Sequence, residues 1–302
     1  MNEIPEYYRP GSRLHISLAS QSGGINATVV HPITPFTTSQ VLVCRIEHNP
    51  TITSPSSLAV VKVYDPRFFK DRYPTDLSLQ HPWSHEAEAA AASSRQNQYP
   101  VVTSREYPVS PDWGDPGNNS PAAWEEFYFQ HAEYAFQAEV KAYDMLSDWQ
   151  GRSILYYLGA GTLPVSTLSS PRAIIPRVLL LEYLPDAVTL NDIDPQRITR
   201  PVLRSLFETA EAFASLGIIH TDLHGGNILL TPAEHPVRGC IIDFGCSFVR
   251  QEESDEEWEF LVAQNSDVRA VQVSLKRVEY RDFSWVLEDE HRGHPRVRHE
   301  TK

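Results

Sequence analysis

The stretch Ile218-Ile219-His220-Thr221-Asp222-Leu223-His224-Gly225-Gly226-Asn227-Ile228-Leu229-Leu230 sets a polar loop between two apolar runs. Its two glycines allow a turn tight enough to aim Asp222 and Asn227, five residues apart, into one site. Sixteen residues after Asn227, Asp243 closes the apolar run Cys240-Ile241-Ile242, just ahead of Phe244 and Gly245. Taken singly, each of these Asp and Asn residues reads as an ordinary turn former. Together they offer an Asp to take a hydroxyl proton, and an Asn and a second Asp as oxygen ligands for magnesium. Those are parts of a phosphoryl-transfer site.

Two charges in apolar surroundings extend the set. Lys62 lies within Leu58-Ala59-Val60-Val61-Lys62-Val63-Tyr64-Asp65, where strand alternation puts it on the face of Leu58, Val60 and Tyr64. A lysine there needs an anionic partner or a route to water, and a snorkelling side chain alone would satisfy it. Residues 123–149 place Ala132, Ala135, Phe136, Tyr143 and Leu146 at helical spacing, with Glu139 inside the same stripe. A buried carboxylate wants a cation. A Lys62–Glu139 pair answers both difficulties and leaves an ammonium in place for phosphate oxygens.

Around these residues the texture alternates. Three β-branched runs begin at Ile25, Gln40 and Leu58 and predict antiparallel strands, while the alternation Leu14, Ile16, Leu18 is left unassigned. Residues 66–122 are rich in proline, serine and asparagine and predict a long irregular surface insertion, partly disordered. After the helix come two buried strands, near residues 153–159 and 177–184. A second amphipathic helix runs from Arg197 and stops at Gly217. This order gives an α+β fold in two lobes.

The 302 residues carry a net charge of −13, which disfavours nucleic acid as a partner. No apolar run approaches the roughly 20 residues that span a bilayer, and the first ten residues do not read as a leader. Three cysteines without a CxxC pair suit a reducing compartment. A soluble intracellular protein, cytoplasmic or nuclear and with no membrane partner, is expected. Cys240 and Cys246 read as small core residues. The acidic run Glu252–Glu257 reads as a solvated helix start, and His291, His294 and His299 as part of a solvated, arginine-rich tail.

The motifs resemble those of the protein-kinase-like superfamily. His220–Asn227 is similar to its HRDxxxxN catalytic loop, Asp243-Phe244-Gly245 to its DFG triplet, the Lys62 strand to its third strand, and the Glu139 segment to its αC helix. The texture is similar to that of divergent fungal kinase-like proteins. The resemblance implies a bilobal kinase-like fold with an N-terminal extension (1–24), an N-lobe and hinge (25–184) that includes the 66–122 insertion between the third strand and αC, a reduced C-lobe (185–265) and a charged tail (266–302). It further implies an ATP- and magnesium-dependent phosphotransferase of Ser/Thr protein kinase type. Lys62 would contact the α and β phosphates, Glu139 would orient Lys62, Asp222 would be the catalytic base, and Asn227 and Asp243 would hold magnesium. Backbone groups near Glu182, Tyr183 and Leu184 would receive the adenine.

The sequence departs from the pattern in four places. The loop His31–Gln40 has no glycine, so phosphate covering falls to its amides and to Thr37, Thr38 and Ser39. Thr221 stands where many protein kinases have arginine, which removes a partner for an activation-loop phosphate. His224 replaces a lysine and is similar to the loop of aminoglycoside and choline kinases, which implies a small-molecule hydroxyl acceptor as the alternative to a protein. Few apolar helices follow Gly245, so the peptide-docking platform is expected to be minimal. The missing glycine loop and short C-lobe motivate a third reading, a nucleotide-binding pseudokinase scaffold.

Overall fold

The structure, a computed structural model, describes residues 4–19, 24–47, 57–97, 108–111, 119–164 and 172–278. Strands β1 (Arg13–Leu18), β2 (Gly24–Ile33), β3 (Gln40–Ile46) and β4 (Leu58–Tyr64) form an antiparallel meander. Helices α1 (His85–Asn97) and α2 (Pro121–Met145) follow, then β5 (Tyr157–Thr162) and β6 (Arg177–Glu182). β6 pairs with β4, β5 with β6, and β5 returns to β1, so six strands close into a barrel.

Leu14, Ile16 and Leu18 alternate into the barrel interior beside Ala27, Leu42, Val61, Val63 and Leu180, which settles β1 as a barrel strand. Closure depends on one residue. A Cβ on Gly161 would stand 2.0 Å from the carbonyl oxygen of Ser17, so only glycine lets β5 approach β1 this closely. β1 and the 3₁₀ turn Glu6–Tyr8 before it thus lie within the segment expected to be an N-terminal extension.

Helix α2 begins with Ser120, whose hydroxyl accepts from the Ala123 amide, followed by Pro121 at the first helical position. Its apolar stripe packs Tyr128, Ala132 and Ala135 against Tyr64, Phe69 and Leu179 on the outside of the barrel. The segment expected to be irregular includes short 3₁₀ turns and α1, which lies on α2. Its order comes from buried charge rather than apolar periodicity. Arg72 pairs with Glu125 at 2.7 Å, and Arg172 bridges Asp65 at 3.1 Å and Glu88 at 2.6 Å. Residues 98–107 and 112–118 of that segment lie outside the described residues.

A further group of elements comprises β7 (Val188–Thr189), α3 (Arg200–Ser215), β8 (Ile218–Ile219), β9 (Ile228–Thr231), β10 (Arg238–Ile241), β11 (Phe248–Val249), α4 (Asp255–Gln264) and α5 (Asp267–Arg277). Leu203, Leu206 and Phe213 of α3 meet Ile228, Leu230, Ile241, Phe244, Val271 and Leu275 in its core. Gly217, with φ 75°, ends α3 as its position predicts. The acidic run starts α4 through a capping box between Ser254 and Glu257. Helix α5 falls where a charged tail was expected. Its Val271 and Leu275 are fully buried, each worth roughly 2 kcal/mol, so it belongs to the core. His291, His294 and His299 lie outside the described residues. Among the described residues no helix is long and apolar enough to cross a membrane.

Candidate active site

Strand alternation builds the first part of the site. Val61 and Val63 point into the barrel, which leaves Lys62 and Tyr64 on the outer face toward α2. There the Lys62 ammonium, 7% exposed, lies 2.5 Å from Glu139 Oε2 and 2.6 Å from Asp243 Oδ1. The expected pair with Glu139 is present, and Asp243 joins it. Burial pushes the ammonium down, but the carboxylates of Asp243 and Glu139 override this and hold it above the usual lysine range. Burial also raises Glu139, against the pull of Lys62. Asp243 is held below the usual carboxylate range, because Lys62 outweighs the effect of burial, and it stays ionised.

The loop between β8 and β9 supplies the second part. Thr221 takes φ 59°, a left-handed conformation that costs a non-glycine residue about 1 kcal/mol or more. Two bonds hold it there: its hydroxyl donates to the Cys246 carbonyl at 2.6 Å, and the Asp222 amide donates to the His220 carbonyl at 2.8 Å. The turn leaves the Asp222 side chain 52% exposed, 3.8 Å from His224 Nε2. Asn227 Nδ2 donates to the Asp222 carbonyl at 2.9 Å, so its amide oxygen is the end left to accept or ligate. Asp243, with φ 66°, is also left-handed.

Two supports were not legible in the sequence. His220 Nε2 donates to the Ile242 carbonyl at 2.9 Å, which ties the loop to the residue before Asp243, and burial pushes the imidazole below its ordinary value, keeping it neutral. The His220 amide donates to Asp267 Oδ2 at 3.1 Å. Asp267, the first residue of α5, is pushed up to about 7 by burial, with the His220 amide pulling the other way. Asp267 follows Ser266 at a helix start, where an acid needs no further explanation, and Val268, Val271 and Leu275 at helical spacing were the only signal that the segment is core.

Lys62, Asp222, Asn227 and Asp243 line one cavity of about 270 Å³, with His224, Cys246 and the Thr37–Ser39 turn on its walls. The turn is anchored by the Lys70 amide, which donates to the Thr37 carbonyl at 3.1 Å. Cys246 is thus a cavity residue, whereas Cys240 is fully buried as expected. Glu182 and Leu184 do not line this cavity. The Glu182 amide donates to the Tyr156 carbonyl at 2.9 Å, and its carboxylate forms a forked pair with Arg238 at 2.8 and 2.9 Å. Both groups are engaged within the protein: the amide holds the end of β6 to Tyr156, just ahead of β5, and the carboxylate holds it to Arg238 of β10. Leu184 packs against the apolar cluster that includes Leu203, Leu206 and Phe213 of α3.

The donor set suits magnesium, which takes oxygen ligands, keeps several waters and is held by one or two protein groups plus phosphates. Asp243 offers an ionised carboxylate, 43% exposed, and Asn227 an amide oxygen. Among the described residues no group of three or more His, Cys, Asp or Glu forms an all-protein metal cage.

Residues 162–250 match the model of APH, the phosphotransferase enzyme family. That segment carries Asp222, Asn227 and Asp243 but begins after Lys62 and Glu139. The chain therefore resembles the protein-kinase-like superfamily in the segment bearing the catalytic-loop and DFG-like motifs, within a mixed fold of helices and strands, and the match supports a kinase-like phosphotransferase. No curated protein matches the chain. Among solved structures, the Rio2 kinase of Chaetomium thermophilum, in an ADP/Mg2+-phosphoaspartate complex, is similar at 16% identity and a TM-score of 0.39. The match covers 82% of this chain, which spans 56% of that one.

Proposed function

We propose that the protein is a phosphotransferase that binds ATP with magnesium and passes the γ-phosphoryl group to a hydroxyl. One observation carries the reading: Lys62, Asp222, Asn227 and Asp243, from segments spread over 181 positions, gather at one cavity, with the Lys62 ammonium between the Asp243 carboxylate and that of Glu139, buried behind the cavity wall. Lys62 would draw the α and β phosphates, with Glu139 setting its position. Asp222, exposed at the cavity, would accept or orient the acceptor hydroxyl. Asn227 and Asp243 would hold the metal, which when bound neutralises charge on the transferring group. Such catalysis is mostly positioning and electrostatics. In this reading the barrel and α2 act as the N-lobe, the remainder as the C-lobe, and Leu184 rather than Glu182 offers its backbone to the base.

The acceptor is taken to be a protein Ser/Thr hydroxyl. A small-molecule hydroxyl is favoured by a separate observation, His224 on the cavity wall beside Asp222. Thermal unfolding with ATP, with and without magnesium, tests the nucleotide site through ligand linkage. The wild-type chain gains melting temperature with ATP and magnesium together, and Asp243→Ala loses the magnesium-dependent part. No shift at millimolar ATP refutes the reading. Labelled phosphate moving to protein substrates or to amino-alcohols, and stopped by Asp222→Ala, decides the acceptor. Binding without transfer leaves the scaffold.

A further inference from the structure

Tyr64 stands two residues after Lys62 on the same face of β4, and its part in the site is not explained by packing alone. The ring is 2% exposed and meets Phe136 of α2 edge-on, with centroids 5.7 Å apart and an interplanar angle of 75°. Its hydroxyl donates to Glu139 Oε2, the oxygen that also receives the Lys62 ammonium. The ammonium lies 5.6 Å from the Tyr64 ring centroid. Glu139 is fully buried, and its other oxygen, Oε1, has no hydrogen-bond partner among the described residues. The carboxylate is therefore held at one oxygen by two donors, of which one, Lys62, is also committed to Asp243 at 2.6 Å.

That division of labour has a consequence. A buried carboxylate depends on its donors, and a single flexible ammonium shared among Glu139, Asp243 and incoming phosphates is a poor sole anchor. The phenol, fixed by its ring and by strand β4, stays on Glu139 whichever way Lys62 turns. Burial first, and then Glu139 itself, push the phenol well above its ordinary value, so it remains a donor.

Tyr64 also lines the cavity, but its one hydroxyl donates to Glu139, and we infer that it is a positioning residue: it pins the Glu139 carboxylate so that Glu139 can aim Lys62 at the phosphates. The inference rests on the proposed function. Its test is the affinity for ADP and for adenosine, measured by calorimetry on wild type, Tyr64→Phe, Glu139→Gln and the double variant. Phe keeps the ring and removes only the hydroxyl. The expected result for Tyr64→Phe is ADP binding weakened roughly three- to tenfold, in line with the net contribution of one ordinary hydrogen bond felt through Glu139, and adenosine binding unchanged. With Glu139→Gln already in place, Tyr64→Phe adds no further loss, because the contact it served is gone.

Unchanged ADP affinity overturns the inference. So do equal losses for ADP and adenosine, which is what a packing defect would give, and losses that add in the double variant. Where Glu139→Gln alone abolishes ADP binding, the same cycle is read on melting temperature without ligand, and additive losses there overturn the inference. A wild-type chain that binds no ADP refutes the proposed function itself, before any variant is compared.

Discussion

Replacing Asp267 by asparagine isolates the group that joins α5 to the loop carrying Asp222. Its carboxyl is 9% exposed and pushed up to about 7 from an ordinary 3.8 by burial, while the His220 amide donates to it. For an acid whose value is raised on folding, stability is fully present below the unfolded value and is lost as pH climbs through the folded one. The window is therefore about pH 4 to 7. Between pH 5 and 8 the linkage amounts to about 3 kcal/mol. The start of a helix favours the ionised form, which makes that figure a ceiling. For a chain of 302 residues it corresponds to a fall in melting temperature of roughly 5 °C. The asparagine side chain of the variant still accepts from the His220 amide but cannot ionise. Melting curves at half-unit pH steps should show wild type losing stability relative to Asp267→Asn from pH 5 upward, with the difference levelling off above pH 8. His220, whose value is lowered, is common to both proteins and drops out of the difference. Parallel pH profiles would mean that Asp267 is ionised throughout, and the account of its burial would fail.

Two further changes probe the frame of the site. Arg238→Met leaves the Glu182 carboxylate, whose side chain is 7% exposed, with only the Tyr156 amide as donor and should cost about 3 kcal/mol in denaturant unfolding; adding Glu182→Met should restore part of it, and a single-variant cost below about 1 kcal/mol would remove the pair from the list of supports. Gly161→Ala puts a methyl 2.0 Å from the Ser17 carbonyl oxygen across the barrel seam, where backbone must move, and should cost about 3 kcal/mol, with faster hydrogen exchange at the Ala19 amide, which donates to the Ala160 carbonyl at 3.0 Å; an unaltered exchange rate there would show that β1 and β5 are not closed as described.

The barrel was legible where one rule sufficed. The runs that became β2, β3, β4 and β6 are β-branched and continuous, so period and composition agree. β1 was not legible, because three alternating apolar residues in a polar context fit a loop equally well, and its burial depends on a glycine more than 140 positions away. The 66–122 segment misled for a related reason. Its packing rests on ion pairs such as Arg72 with Glu125, 53 positions apart, and Arg172 with Asp65, 107 apart, and composition says nothing about who pairs with whom across such distances.

The site divides along a different line. Lys62 and Glu139 could be found because each breaks a pattern, a charge on an apolar face, and two broken patterns of opposite sign suggest each other. Asp222, Asn227 and Asp243 could be found because their spacing is local and their side chains do one kind of chemistry. Tyr64, Asp267 and Arg238 break nothing. A tyrosine suits a strand, an acid suits a helix start, and an arginine next to a turn suits solvent, so each has an innocent explanation in sequence. What sets them apart is the partner each meets in the fold: the Glu139 carboxylate, the His220 amide and the Glu182 carboxylate. Groups that would act on a substrate are polar residues in the wrong place and announce themselves. Groups that hold those residues sit where their chemistry is ordinary, and only the fold reveals what they hold.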